Sequence, residues 1–499
     1  MLTKFLYKQV DNTSLIVFRV FFGLLIGLEG FGAIFTGWVK RTFIEPEFTF
    51  PFIGFEGILT PMQQTLRKPL LDFNLFGIEW LNMADYTYGF YFYFAIMGIC
   101  GFMVMIGYKY RWSIGLFTIM WTSVYLMQKT SYNNHYYLLV LLCVFMWIVP
   151  AHHYLSVDAK KNPALKKIHM PNWVLVIFIL QLFIVYTYAS VAKMYPDWWT
   201  GEVTTNLMAG RRDLPIIGEF LQQKWIHVML TYVGIGFDLL VVPGLLWKRT
   251  RVFFFICSII FHLFNSFVLH IGIFPYMSLA LCLFFFEPET IRNIFMREKK
   301  FFKKCAYFIK NGRAYKNNNI VLKQKEIYKG DEVIVSPHKN WAVPIFVIYF
   351  ISQMLLPLRH WTFEDDVLWT EEGHRLSWRM MLRSKSGNIS FKVVNKENND
   401  ITYVSPSKYT SAKQAARIAV KPDMMWQFVQ FLKKEYAKKG VDVAIYANGM
   451  VRVNNHPRQR LFNPEVDIAA EEWSHFSHHD WLLPFKSKYD NESKKSSEN

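Results

Sequence analysis

Cysteine is scarce in this chain and poorly spaced for chemistry. Five are spread over 499 residues, at Cys100, Cys143, Cys257, Cys282 and Cys305, with no CxxC pair and none after residue 357. Zinc centres and disulfide frameworks are therefore not expected. The chain also has no glycine-rich nucleotide loop, no internal repeat and few charges, only 19% of its residues. The charge present is lopsided, a net +18. It falls in short clusters along the chain instead of on one domain, which argues against nucleic acid as a partner.

What the chain has in quantity is apolar surface, with 52% hydrophobic and 18% aromatic residues. Runs near the twenty residues that cross a bilayer recur along its first part. About nine spans are expected, at 14–35, 83–107, 112–128, 133–150, 173–194, 225–247, 251–270, 273–286 and 341–357. The first is not a cleaved signal peptide: it contains Arg19, lacks a small-residue cleavage site and runs on as FFGLLIGLEGFGAIF. Basic residues fill alternate connections. Lys4 and Lys8 precede the first span; Lys109 and Arg111, then Lys160, Lys161, Lys166 and Lys167, then Lys248, Arg249 and Arg251, then MREKKFFKK follow in turn. That alternation is the positive-inside pattern and predicts a cytoplasmic amino terminus. An odd number of spans then leaves the carboxyl-terminal part on the outer side.

The expected class is mainly α: a polytopic membrane helical bundle followed by a small α+β extramembrane domain. The boundaries predicted are 1–357 for the membrane domain, 358–485 for the extramembrane domain and 486–499 for a disordered, polar tail. Within the second domain, SGNISFKVVNKENNDITYV at 386–404 predicts two strands around a polar turn. Residues 423–438 show helical periodicity between Pro422 and Gly440. Alternating apolar positions around Asn448-Gly449 predict a hairpin turn there.

Polar residues interrupt the apolar runs at one depth. LMQKTSYNNHYYLL at 126–139 sets Asn133, Asn134 and His135 at the outer end of the fourth span. Lys193 lies near the outer end of the fifth, where Tyr186, Ser190 and Lys193 are spaced to share a helix face. The seventh brings His262 to mid-depth, with Asn265 and His270 above it. Together these groups are expected to line a pocket at the lipid–water boundary. Each also has a plainer role: a snorkelling anchor for the lysine, helix caps for the asparagines, interhelical hydrogen bonds for the histidines. Arg19 and Asp238 are isolated charges in the bilayer, so a structural ion pair between them is expected.

Seven collinear segments, FRVFFGLLIGLE at 18–29, KTSYNNHYYL at 129–138, HYLSVDAKKN at 153–162, FIVYTYASVAKMYPDWW at 183–199, FHLFNSFVLHIGIFPYMSLA at 261–280, LSWRMMLRSK at 376–385 and QRLFNPEVDIAAEEWSHF at 459–476, resemble the vitamin K-dependent gamma-glutamyl carboxylases and their bacterial relatives with an HTTM-type membrane domain. The resemblance implies a carbon–carbon lyase of the peptidyl-glutamate 4-carboxylase type. Its co-substrates would be vitamin K hydroquinone or menaquinol, dioxygen and carbon dioxide, with no metal, and its partners membrane lipid, the quinone and a glutamate-containing peptide. It also implies Lys193 as the base that deprotonates the hydroquinone, with His135 and Asn134 around the quinone oxygens. An ammonium is no base, but burial favours the neutral amine. Two departures stand out: no counterpart to the cysteine pair of the animal members, and Arg383 where MMLRSK would be expected to carry a histidine. Two alternatives stay open: quinol oxidation without carboxylation, and a non-enzymatic lipid-binding or transport protein.

Overall fold

The computed structural model describes residues 1–68, 88–296 and 327–489. The first residues of the expected span 83–107, most of the basic stretch MREKKFFKK with Cys305, and positions 490–499 of the expected tail lie outside them.

A helix occupies each of the nine expected positions: α1 (Thr13–Phe35), α2 (Gly89–Ile106), α3 (Tyr110–Met127), α4 (Asn134–Ile148), α5 (Trp173–Val191), α6 (Lys224–Leu246), α7 (Arg251–Phe267), α8 (Phe274–Leu281) and α9 (Lys339–Leu355). Among the described residues, five are long and apolar enough to cross a membrane, namely α1, α2, α5, α6 and α9 taken with its 3-10 continuation to Thr362. Nine full crossings are more than these lengths support. Helix α4 is shortened because Asn133 caps it, and α7 stops before the left-handed residue His270. α8 tightens into a 3-10 turn at Cys282–Phe285. α3 has the length, 18 residues, but carries Arg111, Ser113, Thr118, Thr122 and Ser123.

Helix α1 packs closely against α2 through glycine. A Cβ on Gly23 or Gly101 would collide with the facing helix, the former at 2.3 Å from the Met105 backbone nitrogen and the latter at 2.4 Å from that of Gly27. Small residues at such a seam let two helices touch backbone to backbone, the main source of helix affinity where lipid removes the hydrophobic drive. Outward faces stay apolar: Val252, Phe253, Ile256, Ile260 and Phe267 of α7 are exposed, while Ser258, His262 and Asn265 on its other face are buried.

The extramembrane domain is a four-stranded antiparallel sheet with one long helix on it. Its elements are β1 (Lys385–Asn395), β2 (Ile401–Val404), α10 (Pro422–Ala437), β3 (Val443–Val453) and β4 (Gln459–Arg460), in the order β2-β1-β3-β4. The strand pair at 386–404 and the helix after Pro422 form as expected. Asn448-Gly449 does not turn. Strand β3 runs straight through it, with Asn448 opposite Ser390 and Gly449 opposite Ile389. The alternating residues on either side keep one face in the core, and full pairing with β1 outweighs a two-residue turn. Glycine is needed at 449 for a different reason: a Cβ there would stand 2.7 Å from the Asn388 carbonyl oxygen.

The two parts interlock. Phe50, from the connection after α1, is buried in the core of the extramembrane domain, and Phe48 stacks on Phe431 of α10 with centroids 4.5 Å apart. The first residues of the expected tail are also fastened: the Lys486 backbone N–H donates to Gln459 at 3.0 Å, and Lys488 pairs with Glu202.

Candidate functional site

Lys193 sits in a tight turn just past the end of α5. Its N–H still bonds Ser190 O at 3.0 Å, but Pro196 forces Tyr195 into extended backbone and starts a new short helix, Pro196–Trp199. The turn aims the lysine back between α5 and α6. There Nζ pairs with the carboxylate of Asp238, and the ammonium lies 5.4 Å from the centre of the Trp198 ring. Both members of the pair are buried. The Trp198 indole N–H donates to Thr231 O at 3.2 Å, which fixes the ring.

The expected pairing of Arg19 with Asp238 is therefore not formed. Arg19 turns to the chain after α4 and donates to three carbonyls, Ala151 at 2.9 Å, Tyr154 at 3.2 Å and Leu155 at 2.7 Å. Those oxygens lie in the turns that follow α4, outside any regular hydrogen-bond ladder, and a guanidinium fork satisfies several at once. Asp238 is taken by the nearer cation.

The Lys193–Asp238 pair opens on a cavity of about 720 Å³, also lined by His135, Tyr186, Trp198, Asn265, Phe274, Met380 and Met381. Its remaining walls are almost entirely apolar. Met229, Val233 and Leu240 of α6 and Phe253 and Ile260 of α7 line it and are also exposed on the outer surface. The cavity thus opens sideways toward the lipid between α6 and α7.

His135 enters from the first turn of α4. Asn133 caps that helix by accepting the Tyr136 N–H at 2.7 Å, which sets the direction of the chain. The imidazole stacks on Phe274, with centroids 4.3 Å apart and planes 23° apart. No other described residue bonds its ring nitrogens, so they are available to a molecule in the cavity. Behind the wall, Tyr186 Oη is 2.7 Å from His262 Nε2.

Of the residues expected at one depth, the structure brings together His135, Tyr186, Lys193 and Asn265, with His262 one step behind. Four others are elsewhere. Asn133 is a cap. Ser190 donates to Ile235 O at 3.1 Å and ties α5 to α6. His270 is exposed, 3.3 Å from Arg211, because α7 has ended before it. Asn134 has both ends committed: Nδ2 donates to Arg379 O at 2.8 Å, and Oδ1 accepts the Tyr132 hydroxyl at 2.9 Å. It lines a second chamber.

That chamber, of about 210 Å³, lies under the extramembrane domain and shares His135, Met380 and Met381 with the first. Its walls are cationic, with Lys129, Arg375, Arg379, Arg417 and Lys421. Two buried carboxylates hold it together. Glu371 pairs with Arg383 and Lys421, and Asp423 pairs with Lys129 at 2.6 Å and Arg375 at 2.8 Å. Burial alone would raise both carboxyls, but Arg383 and Lys421 hold Glu371, and Arg375 and Lys129 hold Asp423, well below the usual carboxylate range. Burial and the nearby Arg383 push the imidazole of His374 far down, so it is neutral. The segment dividing the two chambers is wound in left-handed backbone at Leu376, Trp378 and Met381, conformations that cost bulky residues energy and gather at functional sites.

Sequence patterns passed over several of these parts. Asp238 was visible as a charge in a span, but with two cations to choose from its partner was not. Met380 and Met381 sit in LSWRMMLRSK, and Trp198 in YPDWW, without a periodicity that marks them. The density of charge between 371 and 385 was the one trace of the Glu371 cluster. Among the described residues, no group of three or more His, Cys, Asp or Glu side chains is placed to hold a metal ion.

Comparison with known families fits this layout. Residues 7–70 and 61–289 match the HTTM domain, and residues 338–488 match the vitamin K-dependent gamma-carboxylase lumenal domain. No solved structure matches the chain. The two matches take in the membrane bundle and the sheet domain docked on it, which makes this an integral membrane protein with a carboxylase-type lumenal domain at its carboxyl-terminal end. The chain belongs to the vitamin K-dependent gamma-carboxylase family, and its membrane part is an HTTM domain.

Proposed function

We propose that the protein oxidises a membrane-borne reduced naphthoquinone in the α6–α7 cavity and carboxylates peptide glutamate at the adjoining cationic chamber. The amino terminus would be cytoplasmic and the sheet domain on the outer face. The observation that carries this reading is the buried Lys193–Asp238 pair opening on a lipid-accessible apolar cavity. The walls suit the co-substrate: a flat ring against Phe274 and His135, and an isoprenoid tail leaving between α6 and α7. When bound, the reduced quinone would supply, through its oxygenation by dioxygen, the strong base that lifts a γ-proton from glutamate before carbon dioxide adds.

The chain's part is proton handling and orientation. Lys193 Nζ receives the quinol hydroxyl proton as its own proton passes to Asp238 Oδ2. The pair's internal charge separation is thereby exchanged for one between the ammonium and the quinol oxygen, and no isolated charge is created in the membrane. His135 donates to the developing oxyanion from a ring held in place by Phe274. Asn134 acts indirectly, by fixing the Arg379 carbonyl beside Met380 and Met381.

The cationic chamber supports a carboxylate guest, and its contact with His135 brings that guest next to the oxidised ring. A second reading, quinol oxidation without carboxylation, draws on Arg383. It occupies the position where a histidine is expected, and it is spent on Glu371. Both are tested by incubating the purified protein in lipid nanodiscs with a reduced naphthoquinone, dioxygen, bicarbonate and a glutamate peptide. Epoxide together with a peptide mass gain of one carbon dioxide supports the first reading. Epoxide alone supports the second, and neither product refutes both.

A further inference from the structure

The turn that carries Lys193 is gripped by the extramembrane domain. Asp197 lies four residues beyond the lysine, and its carboxylate is bonded by two groups from the end of β3. Asn454 Nδ2 donates to Oδ2 at 2.7 Å, and His456 Nε2 lies 3.0 Å from each oxygen. All three side chains are buried. The Lys488 backbone N–H donates to His456 Nδ1 at 3.2 Å, which leaves Nε2 as the nitrogen that donates to Asp197. Asn454 Oδ1 accepts the Ser384 N–H at 2.9 Å. A parallel tie joins the Tyr195 hydroxyl to Leu382 O.

These bonds converge on residues 195–198, and the next residue after Asp197 is Trp198, whose ring supports the Lys193 ammonium. A carboxylate buried between two uncharged donors is costly to place if all it does is join two domains. An apolar contact would join them at lower cost. What a two-oxygen, two-donor grip adds is orientation: the short helix Pro196–Trp199 cannot roll while Asp197 is held, so Trp198 and the turn before it keep their aim. The geometry points to Asp197 as a positioning residue for Lys193, set by His456 and Asn454 of the docked extramembrane domain. This rests on Lys193 being the base.

The test uses the full-length protein in nanodiscs and a short-chain reduced naphthoquinone. His456→Ala and Asp197→Asn are expected to lower kcat by about tenfold to a hundredfold, the effect of a small misplacement of a reacting group. KM and the binding of the oxidised naphthoquinone should stay as in the wild type. His456→Gln, which keeps an N–H donor facing Asp197, is expected to recover most of the loss. If His456→Ala does not assemble, Asn454→Ala and His456→Gln carry the same comparison. Wild-type kcat per folded molecule in the His456→Ala and Asp197→Asn variants, with only the thermal midpoint lowered, would overturn the positioning role. Lys193→Ala is run alongside: turnover retained there removes the base assignment itself, a separate failure.

Discussion

Lys193 and Asp238 are partners across the α5–α6 interface, 45 residues apart in sequence and both buried. If the pair moves one proton as a unit, Lys193→Ala, Asp238→Asn and the double variant should lose quinol turnover by similar factors, since groups acting together are strongly non-additive. Steady-state kinetics on the three variants checks this. Losses that multiply in the double variant would mean that the two residues act separately.

His135 offers a cleaner separation of roles. His135→Phe keeps the stack on Phe274 and removes both ring nitrogens. Quinone binding is expected to survive, and turnover to fall about a hundredfold to a thousandfold, as when an oxyanion donor is lost. If turnover in His135→Phe matches the wild type, the ring serves packing alone.

Arg19 is predicted to matter for folding and not for chemistry. Arg19→Met strips three carbonyls of their donor, and the two buried ones, of Ala151 and Tyr154, are each worth about 1–3 kcal/mol when left unsatisfied. The yield of folded protein and its thermal midpoint should drop, with kcat per folded molecule unchanged. An Arg19→Asp, Asp238→Arg exchange should rescue neither variant, because the two positions do not meet.

The cationic chamber should be sensitive to acid. The folded-state carboxyls of Glu371 and Asp423 are depressed. Their contribution to stability is complete above the unfolded value of about 4 and is lost as pH falls through the folded-state values. The carboxylates' share of the stability should therefore be flat from neutral pH down to about 5 and then decline, on top of an earlier loss that begins below about 6.5, where the depressed imidazole of His374 resists protonation in the folded state. Glu371→Gln should remove part of that decline and cost about 3–5 kcal/mol at neutral pH, since it leaves Arg383 and Lys421 without their buried partner. A wild-type midpoint that stays level well below pH 4 would contradict this.

Much of this was legible in the residues before any coordinates. Long apolar runs located the helices, because in lipid a spanning segment has few alternatives to a helix. Asn265 of the seventh span and the pair His135, Lys193 pointed to one cavity, with His262 just behind it, because burial in a bilayer makes polar residues conspicuous. Pairing was not legible. Arg19 and Asp238 looked complementary by charge and depth, yet the arginine's partners are backbone carbonyls, which no side-chain pattern reveals. Asn448-Gly449 failed for a related reason. A turn dipeptide is a local preference, and here an eleven-residue partner strand overrides it. The left-handed wall at 376–381 left no periodic trace, since it is neither helix nor strand.

The central claim is that the Lys193 amine takes the quinol proton. Its most direct test is a single-turnover measurement of epoxide formation in nanodiscs saturated with reduced naphthoquinone, comparing wild type, Lys193→Ala and Lys193→Arg at matched quinone occupancy. The account predicts rapid epoxide formation in the wild type and none above background in either variant, since arginine keeps the charge but cannot act as a neutral base. Epoxide forming at the wild-type rate in Lys193→Arg, or in Lys193→Ala, would contradict it.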